Sequence, residues 1–305
     1  MTVAFVNRIK KNERHLRKWA KKNSFDAVRM YDRDIPEFPH VVDRFGDFWV
    51  VYDRSDKEGF VDECADALRE GLALTADKVV VKKRARQKGS AQYEKVATSR
   101  DYFSVREGEL RFLVNVTDYL DCGLFLDHRP LRQDLANASL SEKRVLNLFC
   151  YTGSLSVAAA KAGAIVTSVD LSNTYLEWAK KNFEHNDIRD ERHRFFRGET
   201  KEFLSEHAPE SRYDLIIVDP PTFSNSKSMD YTFDVKTQHV ELIDRCMALL
   251  ARGGETVFST NFRSFRLDEG LLQKYVVEDV SAWSIPQDFR DQKIHKCYRI
   301  KARSS

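Results

Sequence analysis

Residues 145–170 read VLNLFCYTGSLSVAAAKAGAIVTSVD, and this stretch decides the fold. Val145–Phe149 is a short apolar run with the length of a buried strand, and Cys150-Tyr151-Thr152-Gly153 is a tight turn that opens a helix over Ser154–Lys161. Ile165–Val169 is the next strand, followed by Asp170. Strand, turn, helix and strand in that order form the unit from which parallel sheets are built. The same rhythm continues downstream. A helix over Thr174–His185 precedes a brief strand at Phe195–Phe196, and a helix over Lys201–His207 precedes a fourth strand at Leu215–Val218. After a long polar loop come a helix over Thr237–Leu250 and, beyond Gly253-Gly254, a strand over Glu255–Ser259. The expected architecture is α/β, with a mostly parallel, doubly wound sheet covered on both faces.

Ligands of such a sheet bind beyond the carboxyl ends of its strands. After the first strand come Cys150 to Gly153, after the second Asp170, after the third Glu199, and after the fourth Asp219-Pro220-Pro221-Thr222-Phe223. An acid ending the second strand is placed to accept hydrogen bonds from both ribose hydroxyls of an adenosine. Leu171, Ser172 and Thr200 follow the two acids at the same rim and join them as candidate cofactor contacts. The first turn separates the cofactor classes. A dinucleotide needs Gly-x-Gly-x-x-Gly to bring its pyrophosphate to the helix N-terminus. Here Gly153 stands alone, with Asn147, Phe149 and Tyr151 where close approach would be required and Thr152 beside it. A sulfonium cofactor carries no phosphate and tolerates that turn, so a dehydrogenase is the weaker reading.

Two successive prolines fix φ and remove two N–H donors, which leaves a rigid, acceptor-rich turn after the fourth strand. Asp219, Pro220 and the carbonyls around them would face an electron-rich nitrogen, and Phe223 offers a ring on which an extruded base can stack. The bland alternative is a strand terminator.

The first 115 residues have a different organisation. They read as a helix over 7–22, a β-hairpin within His40–Tyr52 turning at Gly46-Asp47, a helix over 61–74, a strand over Lys78–Ala85, and a hairpin of Tyr102–Val105 with Arg111–Val116. That is a small α+β module over 1–115, ahead of a larger domain over 116–305. The helix stripe Ile9, Leu16, Trp19 and Ala20 is surrounded by basic residues, among them Lys10, Arg14 and Lys18, and a second basic cluster comprises Lys82, Lys83, Arg84, Arg86 and Lys88. Two patches on a chain of net charge only +3 point to a surface that meets phosphates; a solvated helix face and a charged strand edge are the competing reading.

The 305 residues contain no apolar run of membrane-spanning length, and the basic N-terminus lacks an apolar h-region, which argues against export. The five cysteines are scattered, odd in number and free of Cys-x-x-Cys spacing, so neither a disulfide framework nor a metal site is expected. The eight histidines show no metal-ligand spacing, and His128 reads as a structural or cofactor-side hydrogen-bonding group. Trp19, Trp49, Trp178 and Trp283 are assigned to packing.

A resemblance emerges from several stretches taken together: Asn115-Val116-Thr117-Asp118-Tyr119-Leu120-Asp121, Gly123-Leu124-Phe125-Leu126-Asp127-His128-Arg129, Leu146 to Phe149, Tyr151 to Ser154, and Asp219 through Lys227. On these residues the chain resembles the RlmK-type 23S rRNA guanine-N7 methyltransferases, which are similar in fold to the RlmI-like rRNA enzymes; the match runs from about Asn7 to Ile300. The resemblance implies a Rossmann-like class I methyltransferase domain, S-adenosyl-L-methionine as cofactor, and 23S rRNA, or a precursor of the large ribosomal subunit, as substrate in the cytoplasm. It also implies that Phe125 to Arg129 lie beside the cofactor, with Phe125, Asp127 and Arg129 as contacts and Arg129 as a forked donor to the methionine carboxylate. The competing reading is a domain-linking turn in which Asp127 and Arg129 pair. Glu199, where the family more often has Asp, would contact the adenine amino group, and Cys150 replaces a common Ser. In many bacteria this enzyme is the C-terminal half of a fusion with an N2-guanine methyltransferase. A stand-alone form or an excised half is therefore implied, with no RNA-binding THUMP region ahead of it.

Methylation of cytosine C5 needs a cysteine nucleophile, which in such enzymes lies just after the fourth or fifth strand. Those segments here read Asp-Pro-Pro-Thr-Phe and Phe-Ser-Thr-Asn-Phe, so C5 chemistry is disfavoured. Guanine N7 has a free lone pair and loses no proton, which calls for in-line positioning, with Asp219 stabilising the cationic product. The loop Ser224–Tyr231, with Lys227, is a candidate RNA contact. Remaining alternatives are methylation of another nitrogen, a protein glutamine or small-molecule acceptor, and a non-catalytic RNA-binding assembly factor. The sequence does not give the target nucleotide or the oligomeric state, a monomer being slightly favoured.

Overall fold

A computed structural model of the protein describes residues 2–83, 101–206, 212–224 and 233–303. The chain divides into two compact units, Met1–Leu126 with Gln287–Asp291, and Asp127–Pro286 with Gln292–Ser305. Among the described residues no helix is long and apolar enough to cross a membrane.

The first unit comprises α1 (Val3–Lys22), β1 (Ala27–Asp32), β2 (Val41–Phe45), β3 (Phe48–Tyr52), α2 (Phe60–Leu72), β4 (Val79–Lys82), β5 (Phe103–Glu107) and β6 (Leu110–Val114). β1 to β4 form a sheet in that order, antiparallel except for the parallel β3–β4 pair, and β5–β6 is a separate hairpin. α1 starts before the expected Asn7 because Phe5 and Val6 extend its buried stripe of Ile9, Leu16 and Ala20. β1 is absent from the expected elements. Its residues are nearly all buried, so it lacks the in–out alternation that marks a half-buried strand. The segment 287–291 is tied to β1. Asp288 Oδ2 accepts the Arg29 amide at 2.8 Å, the Arg29 guanidinium lies 4.0 Å from the Phe289 ring centroid, and Asp291 pairs with Arg33 at 2.7 Å.

The second unit opens with α3 (Arg129–Asn137) and continues through β7 (Arg144–Leu148), α4 (Ser154–Lys161), β8 (Ile165–Asp170), α5 (Asn173–His185), β9 (Arg194–Arg197), α6 (Thr200–Glu206) and β10 (Tyr213–Val218). A two-residue pair, β11 (Phe223–Ser224) with β12 (Phe233–Asp234), precedes α7 (Val235–Ala248) and β13 (Leu250–Thr260). α8 (Glu269–Lys274), β14 (Tyr275–Asp279), α9 (Ser281–Ser284) and β15 (Lys296–Ala302) complete the unit. The sheet order is β14-β15-β13-β10-β7-β8-β9. β9, β8, β7, β10 and β13 run parallel, and β15 is antiparallel to both its neighbours. The chain winds outward from β7 in one direction and from β10 in the other. The topological switch therefore lies between those two strands, where ligands of doubly wound sheets bind.

Two expected boundaries move around Leu250. The helix expected through Leu250 ends at Ala248, and the strand expected from Glu255 already begins at Leu250. Gly253 and Gly254 lie inside β13 at a register shift against β10. Gly253 takes φ +79°, and a Cβ on Gly254 would lie 3.0 Å from the Asp214 carbonyl, so the pair forms a bulge and not a turn. Burial of the apolar side chains of β10 against α7, at about 1.5–3 kcal/mol each, holds the centre of this unit.

Candidate active site

Strand register builds the site. Val218 pairs with Leu148, and Leu148 with Val169, so one row crosses β10, β7 and β8 near their carboxyl ends. Asp219, Phe149 and Asp170 are the next residues of those strands and emerge at one rim. Two strand spacings of ~4.8 Å put the backbones of Asp170 and Asp219 about 10 Å apart, with the first turn between them.

Asp170 is oriented by backbone amides. Its Oδ2 accepts from Tyr151 N at 2.9 Å and its Oδ1 from Ser172 N at 2.8 Å. Burial raises its carboxyl, only partly offset by amides of Ser172, Tyr151 and Leu171, so it titrates at about 6. Ser172 caps α5 by accepting the Tyr175 amide at 3.4 Å. The turn is conformationally costly: Phe149, Tyr151 and Gly153 all have positive φ, at 56°, 53° and 73°. Gly153 is required twice, for its φ and because a Cβ there would stand 2.8 Å from Ala179 Cβ on α5. Its smallness serves helix packing and not a phosphate. Thr152 is fully buried, and its carbonyl accepts from Asn182 Nδ2 at 2.9 Å.

Asn147 is 1% exposed, and its amide donates to Ser156 Oγ at 2.8 Å, a bond that holds α4 to the sheet. Glu199 is buried and accepts the Glu202 amide at 3.0 Å, capping α6 just before Thr200, which is also buried. Phe125 is exposed, and Arg129 is buried at the start of α3. Asp127 Oδ2 lies 3.1 Å from His295 Nδ1.

Asp219 lies between two donors. Ser259 Oγ donates to its Oδ1 at 2.6 Å, and His128 Nε2 lies 3.1 Å from its Oδ2. Burial alone would raise this carboxyl, but the His128 cation and the hydrogen bonds from His128 and Ser259 outweigh it and hold it below the ordinary value. Pro220 is buried, whereas Phe223 is 54% exposed. Thr222 Oγ1 donates to Asn261 Oδ1 at 2.7 Å, tying the proline turn to the segment after β13. His128 stacks on His295, with ring centroids 5.1 Å apart and planes within 1°. The ligand atoms of Asp127, His128 and His295 lie within 4.8 Å of one another. Yet His295 already engages Asp127 through Nδ1 and Ser284 Oγ, at 2.7 Å, through Nε2. Asp127, His295 and Ser284 thus form one hydrogen-bonded chain on which the His128 ring is stacked.

The expected RNA contacts divide. Lys10, Arg14 and Lys18 are exposed on α1. Lys82 is 6% exposed, and its ammonium donates to the Tyr119 carbonyl, because the strand that carries it turns that residue inward. Lys83 is exposed and pairs with Asp62 at 2.7 Å. Arg84, Arg86, Lys88 and Lys227 lie outside the described residues. Trp283 differs from its assignment to packing: it is 46% exposed, with the Arg299 guanidinium 5.4 Å from its ring centroid. All five cysteines are buried. Burial raises every one of their thiols, those of Cys64, Cys122 and Cys297 to about 12, which leaves no thiolate nucleophile at neutral pH. Sequence reasoning misses Ser259, Ser284 and His295, since nothing in their spacing links them to Asp219 or His128.

The sequence profile of the S-adenosylmethionine-dependent methyltransferases matches residues 67–283. Ribosomal RNA large subunit methyltransferase K of Neisseria meningitidis is 44% identical over 98% of this chain and 87% of its own length. Ribosomal RNA large subunit methyltransferase K/L of Pseudomonas putida is 46% identical over 98% of this chain, which spans only 42% of that longer protein. The crystal structure of SMU.776 complexed with SAH superposes with a TM-score of 0.80 at 25% identity, covering 99% of this chain and 82% of that one.

Proposed function

The chain belongs to the S-adenosylmethionine-dependent methyltransferase family, and we propose that it methylates N7 of a guanine in 23S rRNA, or in a precursor of the large ribosomal subunit, in the cytoplasm. The observation that carries this reading is the Asp219-Pro220-Pro221 turn with half-exposed Phe223, at the same rim as Asp170.

The residues present suit the cofactor. A carboxylate has about four acceptor sites, and the amides of Tyr151, Ser172 and Leu171 do not fill them all, so Asp170 can still accept from the ribose. The bound cofactor supplies an electrophilic methyl on a sulfonium. Phe223 stacks the extruded purine, and the proline-locked turn holds N7 in line. No base is required, since N7 carries a lone pair and no proton. Asp219 compensates the positive charge that develops on the purine, from a fixed orientation that needs no reorganisation. The buried, protonated cysteines favour this lone-pair chemistry over attack at cytosine C5. The exposed basic face of α1 supplies phosphate contacts.

The test is borohydride–aniline scission of 23S rRNA, which cuts at N7-methylguanine. One scission product should vanish when the gene is deleted and return when it is restored. A product that persists in the deletion strain overturns the substrate assignment.

A further inference from the structure

His128, read from the sequence as a structural or cofactor-side hydrogen-bonding group, is one of the most constrained side chains at the rim. It stands at the N-cap of α3, is 7% exposed, and has its ring parallel to His295. His295 is itself fixed at both nitrogens, by Asp127 and by Ser284. The His128 ring therefore cannot swing without disturbing a second ring locked from two sides. Its Nδ1 is buried with no hydrogen-bond partner among the described residues, so its one strong contact is Nε2 to Asp219 Oδ2 at 3.1 Å.

We infer that His128 is a positioning residue for methyl transfer, which pins the Asp219 carboxylate in one rotamer together with Ser259 and so sets where its negative charge meets the base. The inference rests on the methyl-transfer role proposed for Asp219. A free aspartate side chain samples several staggered rotamers, and only some direct an oxygen toward the acceptor site. Ser259 takes Oδ1 and His128 takes Oδ2. Each oxygen retains lone pairs, but the plane of the group is set.

The charge on His128 follows from its surroundings. Burial disfavours the imidazolium. Asp219 at the end of β10 and the adjacent Asp127 outweigh both burial and the opposing Arg132 one turn into α3, and His128 is raised to about 9. His295, ahead of β15, faces it as the stacked ring. At neutral pH the pair is thus imidazolium and carboxylate, with Nε2–H donating.

Two measurements test this. In single-turnover methyl transfer, His128→Ala should lower the rate about 10- to 100-fold, as expected for a misplaced reacting partner, with RNA and S-adenosylmethionine affinities within about twofold of wild type. His128→Gln, which retains a neutral donor, should recover most of the rate but lose the alkaline inflection near pH 9. An Ala variant as fast as wild type overturns the inference. The second measurement is NMR titration of His128 without RNA. Its midpoint should fall toward the ordinary imidazole range in Asp219→Asn, and an unshifted midpoint overturns the coupling. If wild-type protein fails to methylate 23S rRNA, the substrate assignment falls, and the titration still decides the His128–Asp219 pairing.

Discussion

Asp170 and Asp219 leave strands of one sheet at the same rim, and their surroundings treat them in opposite ways. Asp170 is held by neutral backbone amides, and burial raises it to about 6. Burial pushes Asp219 the same way, yet a cation and a hydroxyl hold it below the ordinary value. The difference matches the two tasks. A carboxylate that receives neutral hydroxyls gains its remaining donors from the ligand. One that meets developing positive charge must be ionised beforehand. The stability consequences also have opposite sign. The raised Asp170 favours the fold below the unfolded carboxylate range and loses that contribution as pH rises through about 6. The depressed Asp219 contributes above the ordinary carboxylate value and loses its contribution as pH falls through its folded one. Its partner His128, raised from 6.5, contributes below 6.5 and loses that contribution as pH rises through about 9.

The contrast is open to direct attack. Asp219→Ala should produce the largest change, a loss of about 100- to 1000-fold in single-turnover rate with RNA affinity retained, since a preorganised charge is removed; an unchanged rate would refute its role. Asp170→Asn should leave the chemistry step intact for bound complex and weaken S-adenosylmethionine binding about 10- to 100-fold, the worth of one or two charge-assisted hydrogen bonds. In wild type that affinity should hold at pH 7–8 and fall roughly tenfold per pH unit as pH drops below about 6, where the carboxylate must be deprotonated to bind. Calorimetric titration showing flat affinity from pH 8 to pH 5 would remove Asp170 from the cofactor. Gly153→Ala should cost about 1–3 kcal/mol of stability, from positive φ and the 2.8 Å approach to Ala179, read as a lower thermal midpoint. The smallest expected change comes from replacing Lys10, Arg14 and Lys18 together by Ala. RNA affinity should fall a few-fold, and the slope of log affinity on log salt should flatten by about two, at roughly 0.7 for each phosphate left without its cation. An identical salt slope would mean that the exposed face of α1 meets no phosphate.

How much of this is legible in the sequence depends on where each residue finds its partners. The β7–α4–β8 unit reads closely because both strands are short and rich in aliphatic residues, with Asn147, Thr167 and Ser168 the uncharged polar exceptions, and Asp170 stands one residue beyond the last apolar position of β8. The rim itself, with Asp170 and Asp219 flanking one turn, follows from strand order alone. β15 is hidden because Lys296, Arg299 and Lys301 interrupt its apolar residues, and β14 because only an edge position lets it expose Val276. α3 is absent from the expected elements, and Pro130 falls at its first turn, where proline is tolerated but resembles a loop signal. The partners of Asn147 and Lys82 are hard to read for a common reason. Polar residues are assumed to face ligand or solvent, while each here has a buried partner, Ser156 Oγ and the Tyr119 carbonyl, that no local spacing announces. The clamp on Asp219 is the extreme case: Ser259 and His128 approach from opposite sides in chain order, and no local pattern records it.

The tie between β1 and residues 287–291 bears on how the protein is made. The Arg29 amide finds its carboxylate partner 259 residues downstream. At about 5–20 residues per second of synthesis, roughly 10 to 50 seconds separate the emergence of the two. The N-terminal unit therefore leaves the ribosome with one edge unfinished and closes only when residues 287–291 have followed. That closure is a long-range contact, of the kind that costs a chain most entropy to bring together.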